Sequence, residues 1–143
     1  MDKISFGCQS VLQTTALYLR YCVFVLEQKI KPELEFDSLD DTKRKYFVLF
    51  ITDNPIATIR YQALDEKTIQ PDRFCVLKAY RKRGYGRKLL TVYEAQAKKD
   101  GHSISQLTAE IEAVAFYQKL GYQIISEVFI EDGLLCQKMA KKL

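Results

Sequence analysis

The order of local signals between residues 74 and 109 constrains the fold more than any other part of the chain. An apolar, strand-like run at 74–77 feeds a basic loop that holds Gly84 and Gly86. A helical pattern follows at once, stops at Asp100-Gly101, and gives way to a short strand at 105–109. A strand–helix–strand passage of this kind requires a parallel pair of strands joined by a right-handed crossover. The loop also carries chemistry. Glycine lets the backbone approach an anion closely and supplies positive φ where a turn needs it. A helix start leaves N–H groups unpaired at the positive end of the dipole. Arg81, Lys82, Arg83, Arg87 and Lys88 add formal charge. The ligand this layout suits is phosphorylated.

The flanking segments complete a mixed sheet. Residues 4–8 read as a first strand. At 14–28, Leu17, Tyr21, Phe24 and Val25 recur at helical spacing, with Arg20 and Glu27 on other faces. Pro32 and the acidic run 33–41 form a loop with room for a helical turn near Ser38. Residues 46–51 and 56–63 make a hairpin around Asp53-Asn54-Pro55, and 64–70 is a polar connection. Residues 86–99 form a helix that buries Leu89, Leu90, Tyr93 and Ala97, with Gly101 as its C-terminal cap. Residues 113–120 form another helix, ended by Gly121. Strands at 122–130 and 134–139 meet through Asp132-Gly133, a hairpin-turn dipeptide. The expected fold is α/β: a mixed, mostly antiparallel central sheet with one parallel pair and helices on both faces. The expected organisation is one domain, residues 1–143.

Composition narrows the class. With 48% apolar and 28% charged residues, the chain can bury a core and keep a polar surface. Charge interrupts every apolar run before it could span a bilayer, and residues 1–6 lack the apolar stretch of a signal peptide. Cys8, Cys22, Cys75 and Cys136 have neither metal-ligand nor disulfide-scaffold spacing. They read as reduced core or near-core thiols of a cytoplasmic protein, and no metal site is expected. The net charge is +4. Even so, no helix-turn-helix or stacking series is present, and the acidic run would repel nucleic-acid phosphates. Nucleic-acid and membrane partners are therefore not expected.

Three motifs in order carry a family resemblance. The loop contains Arg-x-x-Gly-x-Gly (Arg81, Gly84, Gly86). Downstream stands Ala113-Val114-Ala115-Phe116-Tyr117-Gln118-Lys119-Leu120-Gly121-Tyr122. Upstream stand Val23-Phe24-Val25-Leu26-Glu27-Gln28, then Glu33, Glu35, Phe36, Asp37 and Asp40. The chain resembles the GNAT superfamily of acetyl-coenzyme A-dependent N-acetyltransferases, and specifically its ElaA-like branch. The resemblance covers nearly the whole chain. It implies a cytoplasmic acyltransferase that moves an acetyl group from acetyl-CoA, as co-substrate, to a primary amine. The acceptor would be a small amine or a lysine-like one, attacking directly in a ternary complex. A monomer or a homodimer fits. A covalent acyl-cysteine route is the lesser alternative within the enzyme class. The competing class is a non-catalytic acyl-CoA-binding module or sensor.

The resemblance also implies site roles. The pantetheine arm would run beside Cys75, Val76 and Leu77. The pyrophosphate would lie on main-chain N–H groups of the loop, with Arg81, Lys82, Arg83, Gly84, Tyr85, Gly86 and Arg87 as cofactor-binding residues. Lys82 stands where many relatives have glycine. A main-chain N–H near Leu77 or Lys78 would steady the oxyanion. Tyr117 would be the general acid toward the departing thiolate. Glu110, at the end of the 105–109 strand, and Glu27, at the end of the first helix, are the candidate bases; solvent is the third. The acidic run would attract a cationic amine. Near the C-terminus the branch carries Glu-x-Gly-Ile-Pro-His-x-x-Met, and this chain has Cys136 in place of the histidine.

Overall fold

The computed structural model describes residues 1–143. Its eight strands are β1 (Asp2–Gly7), β2 (Tyr46–Ile51), β3 (Asn54–Ala63), β4 (Thr68–Val76), β5 (Ile104–Glu110), β6 (Gln123–Ile124), β7 (Phe129–Glu131) and β8 (Leu134–Lys142). The helices are α1 (Ser10–Arg20), α2 (Pro32–Glu35), α3 (Tyr85–Lys99) and α4 (Val114–Lys119). A π-helical segment, Tyr21–Glu27, prolongs α1, and short 3₁₀ turns precede the α3 loop (Lys78–Tyr80) and α4 (Ile111–Ala113). The strands follow the order β1-β2-β3-β4-β5-β8-β6, with β7 also paired to β8. Pairing is antiparallel except between β4 and β5. That parallel pair is short: Thr68 meets Ile104 and Ile69 meets Ser105, and pairing then ceases.

The chain divides into two compact units. The first comprises residues 1–61 and 73–93. Its core packs Leu12, Ala16, Leu19 and Val23 of the first helical run onto Tyr46, Val48 and Cys75. A ring cluster of Phe6, Phe47, Tyr61 and Tyr93 lies beside it, with Phe6 stacked on Phe47 at 4.3 Å. The second unit comprises residues 62–72 and 94–143. There β5 and β8 run in register from Ile104–Lys142 to Glu110–Cys136. Leu107, Ala109, Tyr122 and Met139 are buried in it, and the Tyr122 and Ser105 hydroxyls share a 2.7 Å hydrogen bond.

Several boundaries differ from the sequence reading, for local reasons. The first helix starts at Ser10 rather than at 14, and its buried face is Leu12, Ala16, Leu19 and Val23. Tyr21, placed on the core stripe by periodicity, is 42% exposed. The hydrophobic positions before Thr14 are few, so they give a weak start signal, and the π segment breaks the 3.6-residue period afterwards. The helical turn in the acidic region is at Pro32–Glu35, with proline at the first helical position where it costs nothing, and not near Ser38. The β2–β3 turn is Thr52-Asp53, both at positive φ, as a two-residue hairpin turn demands. The strand expected at 122–130 is two short pieces, β6 and β7, laid against one long β8. Residues 68–70, read as connection, begin β4. Cys8 is exposed rather than near the core.

Candidate functional site

The loop between β4 and α3 lies in the first unit. Lys82 (φ 63°) and Gly84 (φ 85°) both take the left-handed conformation. A Cβ on Gly84 would meet nothing within 4 Å, so the backbone here is open to an approaching group. The first helical bond runs from the Lys88 N–H to the Gly84 carbonyl at 3.0 Å. The N–H groups from Gly84 to Arg87 have no main-chain acceptor, as expected at the head of a helix. Lys82, Arg83 and Arg87 are exposed, and the Arg83 guanidinium sits 5.9 Å from the Tyr80 ring centroid. Lys88 pairs with Asp2 at 2.8 Å.

Arg81 behaves differently from its neighbours. Its Nε donates to the Val76 carbonyl at 2.9 Å. Its two terminal nitrogens donate to the Glu27 carboxylate at 2.6 and 2.7 Å. The Arg81 hydrogen bonds hold the Glu27 carboxyl below its ordinary pKa. Glu27 is thus a weak proton acceptor, fixed at the end of the π-helical segment. Cys75 is buried on β4, and burial pushes its thiol up to about 12. The Leu77 N–H donates to the Ile56 carbonyl at 2.8 Å. Of the two oxyanion donors considered, that leaves Lys78.

The acidic run is built into the first unit. Arg20, on α1, is fully buried. It donates from Nε to Glu35 at 2.9 Å and from its terminal nitrogens to Asp40 at 2.6 and 2.9 Å. Arg60 reaches Asp37 at 2.7 Å and Asp40 at 3.0 Å, and Arg73 reaches Glu35 at 3.2 Å and Asp37 at 3.2 Å. The Tyr46 hydroxyl donates to Asp40 at 2.6 Å. Burial opposes ionisation of Asp40, but hydrogen bonds from Arg20 and Tyr46 outweigh it and hold its pKa well below the usual carboxylate range. Burial raises the pKa of Glu35 despite its arginine partners. Three of the carboxylates expected to draw in a cationic amine are therefore neutralised internally. The reason is non-local: their partners lie on α1, β3 and β4. Arg73 itself sits at φ 48° inside β4, a strained conformation for a non-glycine residue that these contacts hold in place.

The other candidates lie in the second unit. Glu110 is the last residue of β5, exposed, and opposite Cys136 in the β5–β8 ladder. Tyr117 lies on α4, half-buried, with its ring 5.1 Å from Phe116 and 5.7 Å from Tyr122. Burial, and then the charge of Glu110, push its hydroxyl well above the ordinary tyrosine pKa. The structure thus brings Tyr117 within electrostatic reach of Glu110. The shift keeps the hydroxyl protonated and makes it a weaker acid than a free tyrosine. Cys136 is buried with its Sγ 3.6 Å from the Leu134 carbonyl, and burial raises its pKa. It has the features of a packing residue, not of a thiolate nucleophile.

A mixed sheet with one short parallel pair, and a glycine loop opening into a long helix, define an α/β protein with an open row of main-chain donors at a helix head. Comparison with known proteins makes this specific. A family model described as the acetyltransferase (GNAT) domain matches residues 23–143. The Bacillus subtilis protein YyaT is 35% identical over 130 residues, covering 90% of this chain and 87% of YyaT. A crystal structure of a candidate N-acetyltransferase from Lactobacillus plantarum is 35% identical, with TM-score 0.96, covering 99% of this chain and 98% of that one. Escherichia coli ElaA shares the fold at 24% identity, with TM-score 0.84 and 99% of both chains covered. The chain belongs to the GNAT acetyltransferase family. It is an acetyltransferase, with acetyl-CoA as its co-substrate.

Proposed function

We propose that this chain, acting as one catalytic domain, transfers the acetyl group of acetyl-CoA to a primary amine by direct attack in a ternary complex. The observation that carries this reading is the open head of α3, where the main-chain N–H groups from Gly84 to Arg87 have no main-chain acceptor and Gly84 leaves free space beside them. The loop N–H groups from Gly84 to Arg87 take the pyrophosphate, and Lys82, Arg83 and Arg87 supply charge around it. Strand residues Cys75, Val76 and Leu77 guide the pantetheine arm. The amine nitrogen forms a bond to the thioester carbonyl carbon, and the Lys78 N–H receives the developing oxyanion. The C–S bond then breaks, and the thiolate takes the Tyr117 proton. The proton shed by the new amide nitrogen passes to Glu110 or to solvent, from which the Tyr117 oxygen regains its own; Glu27, ionised against Arg81, is the poorest acceptor of the three. The four unpaired cysteines suit a cytoplasmic setting. No helix is long and apolar enough to cross a membrane.

Cys136 stands where the resemblance puts the branch's histidine and is buried with a raised pKa, so no proton shuttle is assigned to that position. Colorimetric thiol release from acetyl-CoA with a panel of small amines and lysine peptides tests the amine-acceptor reading. Turnover on an amine supports it, and Tyr117→Phe should then lower kcat about tenfold or more with little change in CoA affinity. Tight CoA binding without turnover on any of these amines overturns the amine-acceptor reading. Wild-type kcat in the phenylalanine variant would return Tyr117 to packing alone.

A further inference from the structure

Arg81 stands at the first position of the Arg-x-x-Gly-x-Gly loop, where a charged side chain is naturally read as a phosphate ligand. Its geometry argues otherwise. A guanidinium offers five N–H donors in a rigid fork. Here Nε is spent on the Val76 carbonyl at 2.9 Å, and the two terminal nitrogens grip both oxygens of Glu27 at 2.6 and 2.7 Å. Lys82, Arg83 and Arg87, by contrast, are exposed. The pair joins three segments of the first unit: the end of β4, the start of the cofactor loop, and the last residue of the π-helical segment. That segment is itself unusual. Seven residues of widened helix are closed by a hydrogen bond from the Ile30 N–H to the Phe24 carbonyl at 2.9 Å, and Lys29 beyond it takes φ 63°. Widened turns of this kind need a local reason to persist and recur at functional sites. The bidentate carboxylate–guanidinium contact at its last residue supplies one.

We propose that Glu27 and Arg81 are paired positioning residues. Glu27 holds the Arg81 fork in a single orientation, and the fork ties the first residue of the loop to the carbonyl of Val76. The left-handed turn at Lys82 and Gly84, and with it the row of N–H donors that receives the pyrophosphate, is thereby preset before CoA arrives. This rests on the reading of the loop as the CoA clamp. It assigns Arg81 to shaping that clamp rather than to touching the phosphate, and it gives Glu27 a role outside proton transfer. Glu27 and Arg81 side chains are each about one-third exposed, too solvated a pair to hold the fold together. Loss of the pair should therefore be read in binding rather than in unfolding.

The sign of one measurement decides the matter. Calorimetric CoA affinity is compared for wild type, Glu27→Gln, Arg81→Gln, Arg81→Lys and the double variant Glu27→Gln/Arg81→Gln, with a thermal melt of each. If Arg81 positions the loop, Glu27→Gln weakens CoA binding about fivefold, on the scale of losing a charge-assisted contact. Arg81→Gln weakens it to a similar degree, and the double variant does no worse than either single one. Arg81→Lys does not rescue, because a point charge cannot make the fork. KM for acetyl-CoA then rises with kcat nearly unchanged. If Arg81 is a phosphate ligand, freeing it in Glu27→Gln tightens CoA binding or leaves it unchanged, and Arg81→Lys keeps most of the affinity. Either result overturns the proposal while leaving the acetyltransferase reading intact. A lowered melting temperature with unchanged affinity overturns it as well. A wild-type protein that does not bind CoA at all overturns the clamp reading itself, and the positioning role with it.

Discussion

The acidic run 33–41 and the basic loop 81–87 look alike in sequence. Each is a short, charge-dense segment flanked by elements of regular structure, and each lies in the first unit. The structure treats them in opposite ways. Glu35, Asp37 and Asp40 are consumed by Arg20, Arg60 and Arg73, and the cluster reaches into a fully buried guanidinium. Lys82, Arg83 and Arg87 are exposed on a strained loop whose N–H groups are also open. One charge run is closed by arginines from three other elements; the other stays open to solvent. The difference is one of partners, since a charge with its counter-charge already in place has little left to offer a substrate.

The largest effect should come from breaking the closed cluster. Asp40 accepts hydrogen bonds from Arg20, Arg60 and Tyr46. Asp40→Asn leaves the buried Arg20 short of charge compensation, and removing one member of a buried pair costs about 3–5 kcal/mol. A fall in melting temperature of about 10 °C or more is expected at this chain length, with any loss of activity tracking the loss of folded protein. The acid limb gives a second readout. The Asp40 pKa is lowered in the folded state, so its contribution is complete above the unfolded carboxylate value near ~4. It is lost as pH falls through the folded value. Wild type should therefore lose stability below about pH 4 more steeply than Asp40→Asn. A variant as stable as wild type, with an unchanged acid limb, would erase the contrast between the two regions.

The next effect belongs to the open loop. Gly84 holds φ 85° with free space where a Cβ would go. The Cβ of Gly84→Val therefore meets no clash, but the substitution costs about 1–2 kcal/mol for the left-handed backbone and covers the surface a phosphate would approach. CoA affinity should fall about tenfold or more, while Lys98→Ala, on the far end of the same helix, leaves it unchanged. Equal affinities by calorimetry for the two variants would reject the clamp.

What the sequence disclosed, and what it did not, follows the range of each signal. The loop, the stop at Gly101 (φ 95°) and the Asp132-Gly133 turn (φ 51° and 79°) were legible because each is written in two or three adjacent residues. The hairpin partner of β7 was legible for the same reason. Arg20 was read as facing away from the core because its partners stand 15 and 20 residues off, and nothing local marks a buried arginine. The Glu27–Arg81 contact spans 54 residues. The π segment hid itself by shifting the helical period on which the reading depended. Tyr117 and Glu110 were singled out by family resemblance. The influence of the Glu110 charge on Tyr117 depends on the short turn Ile111–Ala113 that separates α4 from β5.

A smaller effect tests whether the exposed cations act as a field or as specific ligands. Lys82→Gln, Arg83→Gln and Arg87→Gln should each weaken CoA binding about two- to fourfold, additively, and each should reduce its dependence on added salt. Stability should change by less than about 0.5 kcal/mol, because these side chains are solvent-facing. A tenfold loss confined to one of them would replace the field with a single phosphate contact.

The smallest expected effect is also the sharpest test of the contrast, because it concerns the part of the acidic run that is not tied down. Glu33 is exposed on the first turn of α2, while its neighbours two and four residues on are bound by arginine. If the run recruited cationic amines, Glu33 would be the member best placed to do so. Glu33→Gln removes its charge with little change in shape. Closure of the cluster predicts a change in stability within about 0.5 kcal/mol and a KM for the amine within about twofold of wild type, at low and at high salt alike. A clear rise in KM at low salt that vanishes at high salt would mean that the acidic run steers substrate after all. The two charged regions would then differ in degree, with the network around Arg20 serving both to hold the fold and to set the field that an acceptor meets.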